Sequence, residues 1–366
     1  MAVTRRVRLS GDVRWDARVF YRGHQIAQRT FERRADAKSW EADQMAKLHS
    51  DRWIDPRRGR VLFRETAQEW QASREHLAPR SQETTRYLLN RDVLPILGHR
   101  PISSLTTADV SKVLTAMTAR GLSINTQRRT LSVIRLVLDY AIQDERIADN
   151  VARAVKPPRG STKVEPRWLT IVELRALVQA VPEHCRPALL ALGLIGLRFS
   201  EMAGVTVRDA TSTAHGWALR VHRSITQSRA SGELLEGPTK NRHSRTVPVP
   251  QDLVPYVERR KREAEATEPL FPSPRGSIWR DSNFRRSARW NEATRAVGIE
   301  GTRIHDLRHT AASLLIASGA DLKATQAILG HRSAEMTLDL YGHLFDEGLW
   351  TAVRRLPSVG GGSNEP

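Results

Sequence analysis

The sequence predicts a mostly α protein with small β-sheets, an α+β architecture, and three observations carry that expectation. Apolar residues recur at helical spacing from Leu62 to about Asn150, from Leu169 to Val181 and again after Thr302. Apolar and polar residues alternate only over short stretches such as Val13 to Tyr21. A chain of 366 residues exceeds one ordinary domain and fits two or three.

The first domain is expected over residues 1–60, which carry 15 Lys and Arg against 8 Asp and Glu. Val13, Trp15, Ala17, Val19 and Tyr21 alternate as a half-buried strand should, Arg22-Gly23 supplies a turn, and a second strand fits Gln25 to Phe31. Ala35 to Leu48 reads as a helix, with Ala37, Trp40, Met45 and Leu48 as its contact positions. Asp51 to Arg60 mixes Pro and Gly with charges and reads as a linker.

A helical domain is expected over 61–156. Phe63, Ala67 and Trp70 mark one helix and Ser81 to Ile96 a second. Thr107 or Asp109 opens a third that ends near Gly121. Ser123 caps a long fourth, whose Leu131, Ile134, Leu138 and Ile142 share a face. After a linker from Lys156 to Pro166, a third domain is expected over 166–357. It has an amphipathic helix at Leu169 to Val181 and a buried apolar run, Leu189 to Leu197, that delivers Arg198. Short strands follow near Val205 to Asp209, Ala218 to Val221 and Arg245 to Val249, then helices at Asp252 to Ala264 and Arg285 to Val297. Leu344, Phe345, Leu349, Trp350 and Val353 space out a last helix, and 358–366 form a flexible Gly-rich tail.

Charge narrows the function. With 58 Lys and Arg against 40 Asp and Glu, the chain carries a formal +18 and points to a polyanionic partner, of which nucleic acid is the commonest. Cys185 is the single cysteine, so an intrachain disulfide and a Cys-built zinc site are both excluded. The opening MAVTRRVRLS lacks an apolar core, and no run of about eighteen apolar residues occurs, so a cytoplasmic protein without membrane attachment is expected.

The chemistry is concentrated between Thr302 and Tyr341. His305 and Arg308 stand three apart and face the same way on one helical turn; Gly319 offers a stop; Asp321 caps a second helix that ends at Gly330, with His331 directly after it. Such a scaffold can aim two histidines, an arginine and the Tyr341 phenol at one point. A phenol, cations and imidazoles without paired carboxylates suit attack on a phosphodiester. His305 and His309 are four apart, as in zinc proteases, but Asp306 stands where that motif needs Glu and no third ligand is evident, so no metal is expected. A nucleotide-cradling G-x-x-x-x-G-K-[ST] loop is also missing, and no cofactor is expected.

These residues resemble the tyrosine recombinases, the family of phage integrases. The H-x-x-R box is His305-Asp306-Leu307-Arg308, the L-G-H box is Leu329-Gly330-His331, and Tyr341 stands at the nucleophile's place. Upstream, Gly196-Leu197-Arg198-Phe199-Ser200-Glu201 resembles the first arginine box, and Pro238-Thr239-Lys240 ahead of Ser244 to Pro248 resembles the β-hairpin lysine. The resemblance implies a mixed α/β catalytic domain behind a helical core-binding domain and a three-stranded arm-type domain, with Arg14, Arg18, Arg22 and Arg29 as DNA contacts. It implies attack by Tyr341 on a DNA phosphorus, with Arg198 and Arg308 on the non-bridging oxygens, Lys240 as proton donor to the leaving oxygen, His305 assisting removal of the phenolic proton and His331 donating a hydrogen bond. Glu201 would orient Arg198 or a histidine from behind.

The implied reaction is site-specific recombination of two duplexes, which integrates or excises a phage or mobile element. The partner is double-stranded DNA with core and arm attachment sites, bound by a homotetramer at the nucleoid, and the need for an excision factor and a DNA-bending host protein stays open. A Xer-type resolvase, a type IB topoisomerase-like strand transferase and a catalytically idle DNA-binding regulator are the alternatives.

Overall fold

The computed structural model describes residues 2–7, 12–21, 24–48, 55, 57–160, 167–228, 230–239 and 243–330. The chain divides into two compact units, Met1–Lys163 and Val164–Pro366.

The first unit opens with an antiparallel sheet of β1 (Ala2–Val7), β2 (Val13–Tyr21) and β3 (His24–Phe31), in that order. The alternating β2 and its partner β3 fall where the sequence places them. β1 has no alternation to announce it and is ordered by pairing, Val3 opposite Ala17 and Arg6 opposite Arg14. One face of the sheet is covered by α1 (Arg34–Leu48): Ala17, Val19 and Ala37 are fully buried, and Trp40 packs on Phe31 at 5.8 Å between ring centroids. Directly opposed residues on antiparallel strands share a face. Arg29, opposite Ala17, is therefore on the side of α1, where its guanidinium lies over Phe31 at 5.3 Å. Arg14 and Arg18 lie on the other face, with Asp16, Gln28 and Thr30. The four arginines expected to share one role are thus divided, and Arg22 lies outside the described residues.

A helical bundle follows, with α2 (Phe63–Ala72), α3 (Pro79–Leu88), α4 (Leu94–Leu97), α5 (Thr107–Ala119) and α6 (Ile124–Gln143). A π turn, Leu89–Val93, joins α3 to α4, so the expected second helix is one helical run with a bulge. Thr106 and Ser123 cap α5 and α6 through their hydroxyls. Phe63, Val93, Val113, Met117, Ile134 and Leu138 form the apolar interior. The part of the expected 51–60 linker that is described is not free. Ser103 donates to the Gly59 carbonyl at 2.8 Å, and Arg58 pairs with Glu145 at 2.9 Å. Gly59, buried there, belongs to a short turn packed on the bundle. At its far end, Arg135 donates to the carbonyls of Ala152 and Val155, and Arg128 to those of Pro158 and Gly160, fastening the start of the second expected linker to α6.

The second unit begins with α7 (Ile171–Ala180), capped by Thr170 and Glu173. α8 (Arg186–Leu190) runs into a π turn, Ala191–Ile195, which Gly196 ends in the left-handed region at φ +75°. α9 (Phe199–Met202) starts after Arg198. Val205 to Asp209, expected as a strand, is instead a short turn. The Asp209 carboxylate accepts from the Thr206 amide at 2.9 Å and hydroxyl at 2.7 Å, and such short polar side chains capture backbone donors in place of a ladder. The sheet is β4 (Ala210–Thr213), β5 (Gly216–Val221) and β8 (Arg245–Pro248), in that order and antiparallel. β6 (Arg223–Gln227) and β7 (Leu234–Pro238) form a hairpin that no alternation announced.

α10 (Val254–Glu263) follows as expected. The helix expected over Arg285 to Val297 is broken into α11 (Asp281–Ser287) and α12 (Trp290–Ala296) by Arg289 at φ +47°. Burial of both Phe284 and Trp290 favours the break. α13 (Asp306–Ala317) and α14 (Leu322–Leu329) complete the unit, with Asp321 capping α14 and Gly330 closing it at φ +68°. α13 packs on the π turn, through Leu307 and Ala311 in the core beside Ile195 and Leu192.

Candidate active site

Gly196 brings the site together. A Cβ there would stand 2.5 Å from a Leu329 methyl and 3.1 Å from the Ala311 Cβ, so only glycine lets the turn before Arg198 touch α13 and α14 at once. Arg308, on the first turn of α13 and 4 % exposed, then donates to the Gly196 carbonyl at 2.6 Å and to the Leu329 carbonyl at 2.5 Å. Arg198 donates to the next carbonyl, that of Gly330, at 3.3 Å. Two guanidiniums from distant stretches of sequence therefore meet at the end of α14, directly ahead of His331.

Glu201 lies beneath them, fully buried. Its carboxylate accepts from the Arg198 guanidinium at 2.7 Å and amide at 3.0 Å, and from Arg245 at 2.7 and 3.2 Å. Burial opposes its charge, but the hydrogen bond and charge of Arg245, then Arg198, outweigh that and hold its pKa down at about 2. The partner expected for Glu201 was Arg198 or a histidine; the structure gives it two arginines. Arg245 opens the strand expected over Arg245 to Val249, and no local pattern ties it to Glu201, 44 positions away. Asp306, a conceivable partner for Arg308, pairs with Arg303 at 2.6 Å.

His305 immediately precedes α13, at its N-cap, and keeps an exposed edge. Its ring meets that of His309 edge to face, 5.3 Å between centroids. The surrounding protein, then the charge of Arg308, lowers its pKa below the usual imidazole value. Burial, then His305, lowers that of His309 to about 4. Both rings are thus held neutral at pH 7, and a neutral imidazole can accept a proton. Among the described residues, no three His, Cys, Asp or Glu come together as a metal site. Lys240, His331 and Tyr341 lie outside the described residues, as does the expected helix around Trp350.

The fold is shared with solved integrases. The Tn1549 transposon integrase, in complex with transposon right-end DNA, superposes with a TM-score of 0.67 at 20 % identity, over 81 % of this chain and 100 % of that one. A lambda integrase dimer bound to a COC' core site gives 0.58 at 17 % identity, over 98 % of this chain and 97 % of that one. In sequence, the integrase of Mycobacterium phage D29 is 28 % identical over 324 residues, 85 % of this chain and 84 % of that protein. Residues 63–157 match the phage integrase central domain and residues 167–347 the phage integrase family. The chain belongs to the tyrosine recombinases, in the phage integrase family.

Proposed function

We propose that this recombinase integrates and excises a phage or mobile element by cutting and rejoining duplex DNA through Tyr341. The observation that carries the proposal is the meeting of Arg198 and Arg308 on consecutive carbonyls at the end of α14, one residue before His331. As a phosphorus becomes five-coordinate, charge grows on its non-bridging oxygens, and preorganised guanidiniums oppose that charge without moving. The Tyr341 oxygen forms its bond to phosphorus as the bond to the 5′-oxygen breaks, leaving a 3′-phosphotyrosine. A phenol has a pKa of about 10, so its proton must be taken, and the neutral His305 imidazole suits that role. Lys240 supplies the proton that the departing 5′-oxygen needs, and His331 donates to a non-bridging oxygen. Rejoining is the same displacement in reverse, so neither metal nor nucleotide takes part.

The N-terminal sheet binds arm-type sites with the face turned away from α1, through Arg6, Arg14 and Arg18. Arg6 is 70 % exposed there, and Thr30 donates to the buried Asp16 at 2.7 Å, fixing the strand between them. Four protomers assemble on DNA, because four strands must be exchanged.

The test is covalent capture. A pool of nicked duplexes with randomised cores is incubated with the protein, and DNA that survives denaturation on protein is recovered and amplified. An adduct mapping to Tyr341, and lost in Tyr341→Phe, is expected. Duplex binding without any adduct would turn the reading toward a DNA-binding regulator, and relaxed circles without rearranged products toward a topoisomerase.

A further inference from the structure

The buried Glu201 carboxylate is held by two guanidiniums where one would satisfy a simple ion pair. Arg198 supplies a side-chain and a backbone donor; Arg245 supplies Nη2 to Oε2 at 2.7 Å and Nη1 to Oε1 at 3.2 Å. Arg245 is itself 11 % exposed in its side chain, and its Nε donates to the Ile328 carbonyl at 2.8 Å. The contact leaves no slack: a Cβ on Gly330 would stand 3.0 Å from the Arg245 Nη1 and 3.1 Å from its Cδ.

Charge counting gives this arrangement a purpose. An Arg198–Glu201 pair alone is neutral, and a buried carboxylate 2.7 Å from the guanidinium would cancel much of its attraction for a phosphate. With Arg245 the group carries a net single positive charge. The position matters equally, since Arg245 starts β8, on the strand that follows Lys240, and grips the last turn of α14 ahead of His331.

We propose that Arg245 is a positioning residue of the strand-transfer reaction: it neutralises Glu201, so that Arg198 meets the scissile phosphate as an uncancelled cation, and it ties β8 to the end of α14. The proposal rests on the function proposed above for Arg198.

Arg245→Met, Glu201→Gln and the double variant decide it. Duplexes recovered by covalent capture are used at saturating concentration, in single turnover, at a temperature where all variants are folded. Arg245→Met should slow adduct formation by about a hundredfold, the size expected when one oriented donor loses its effect, with duplex affinity nearly unchanged. Adding Glu201→Gln removes the charge that Arg245 offsets, so the double variant should react at least about tenfold faster than Arg245→Met. Arg245→Lys, a point charge without the fork, should fall between wild type and Met. A double variant as slow as the product of the two single defects would overturn the proposal and make Arg245 an independent contact. Thermal melts of wild type, Arg245→Met, Glu201→Gln and the double variant keep the outcomes separate. If the wild type forms no adduct, the strand-transfer reading fails, while a melting temperature lowered by Arg245→Met and recovered by Glu201→Gln still upholds the Arg245–Glu201 coupling, and additive melts overturn it.

Discussion

Arg308 and Arg198 end on neighbouring carbonyls, Arg308 on Leu329 at 2.5 Å and Arg198 on Gly330 at 3.3 Å. The two arginines differ in what else they hold. Arg308 also closes the Gly196 turn at 2.6 Å, whereas Arg198 is tied to Glu201. One closes the turn onto α14; the other is anchored by the neighbouring Glu201.

That difference separates their lysine variants. Arg198→Lys keeps a charge but loses the planar fork, and should slow adduct formation by about a hundredfold or more, on the order of 3 kcal/mol of barrier, with little change in melting temperature. Arg308→Lys leaves a buried carbonyl without its donor and should lose both rate and stability, the latter by roughly 1–3 kcal/mol. Equal melting temperatures for the two variants would contradict this division.

Gly196→Ala should be more damaging than Gly298→Ala, although both residues have φ near +75° (+75° and +73°). Around Gly298 nothing lies within 4 Å, so alanine there meets only backbone strain of about 1–2 kcal/mol. At Gly196 the new methyl also strikes Leu329 and Ala311. Chemical denaturation of the two variants measures the gap, and no difference between them would show that α14 yields freely.

Stability should fall as pH drops from about 6.5 towards 4. Burial, then His305, lowers the pKa of His309 from 6.5 to about 4 in the folded chain, so the unfolded chain takes up its proton first. The full effect is on the order of 3 kcal/mol at most, complete near pH 4 and absent above the unfolded pKa. Glu201, lowered to about 2, contributes in a separate window below 4.5. Melting curves from pH 8 to 4 should therefore be flatter for His309→Gln than for wild type; parallel curves would exclude the His309 contribution.

In the N-terminal sheet, Arg18→Ala should weaken duplex binding and reduce the salt slope by about one, as expected for one lost phosphate contact. Arg29→Ala, on the side of α1, should do neither. Binding titrations between 50 and 200 mM salt, on the order of the range where such slopes are read, distinguish the two. Equal losses would mean that the sheet meets DNA along its edge.

The sequence by itself determined most of the helices and the two arginine boxes that the structure brings together. Apolar spacing and stop signals placed both ends of α5 and α14 closely and marked faces of α2, α6 and α13, because an amphipathic helix writes its period locally, and the caps Ser123 and Asp321 act within a few positions of themselves. The boxes around Arg198 and Arg308 were legible because their residue types are chemically unusual together. Tertiary structure alone decided which cations share an anion. Arg245 is 44 positions from Glu201, and no local period links them. It also ordered β1, whose sequence does not alternate, broke a helix at Arg289 to bury both Phe284 and Trp290, and set Arg29 on the opposite face from Arg18. Each of these depends on a partner outside its own segment, and the free energy that selects such a pairing exists only once both segments have come together.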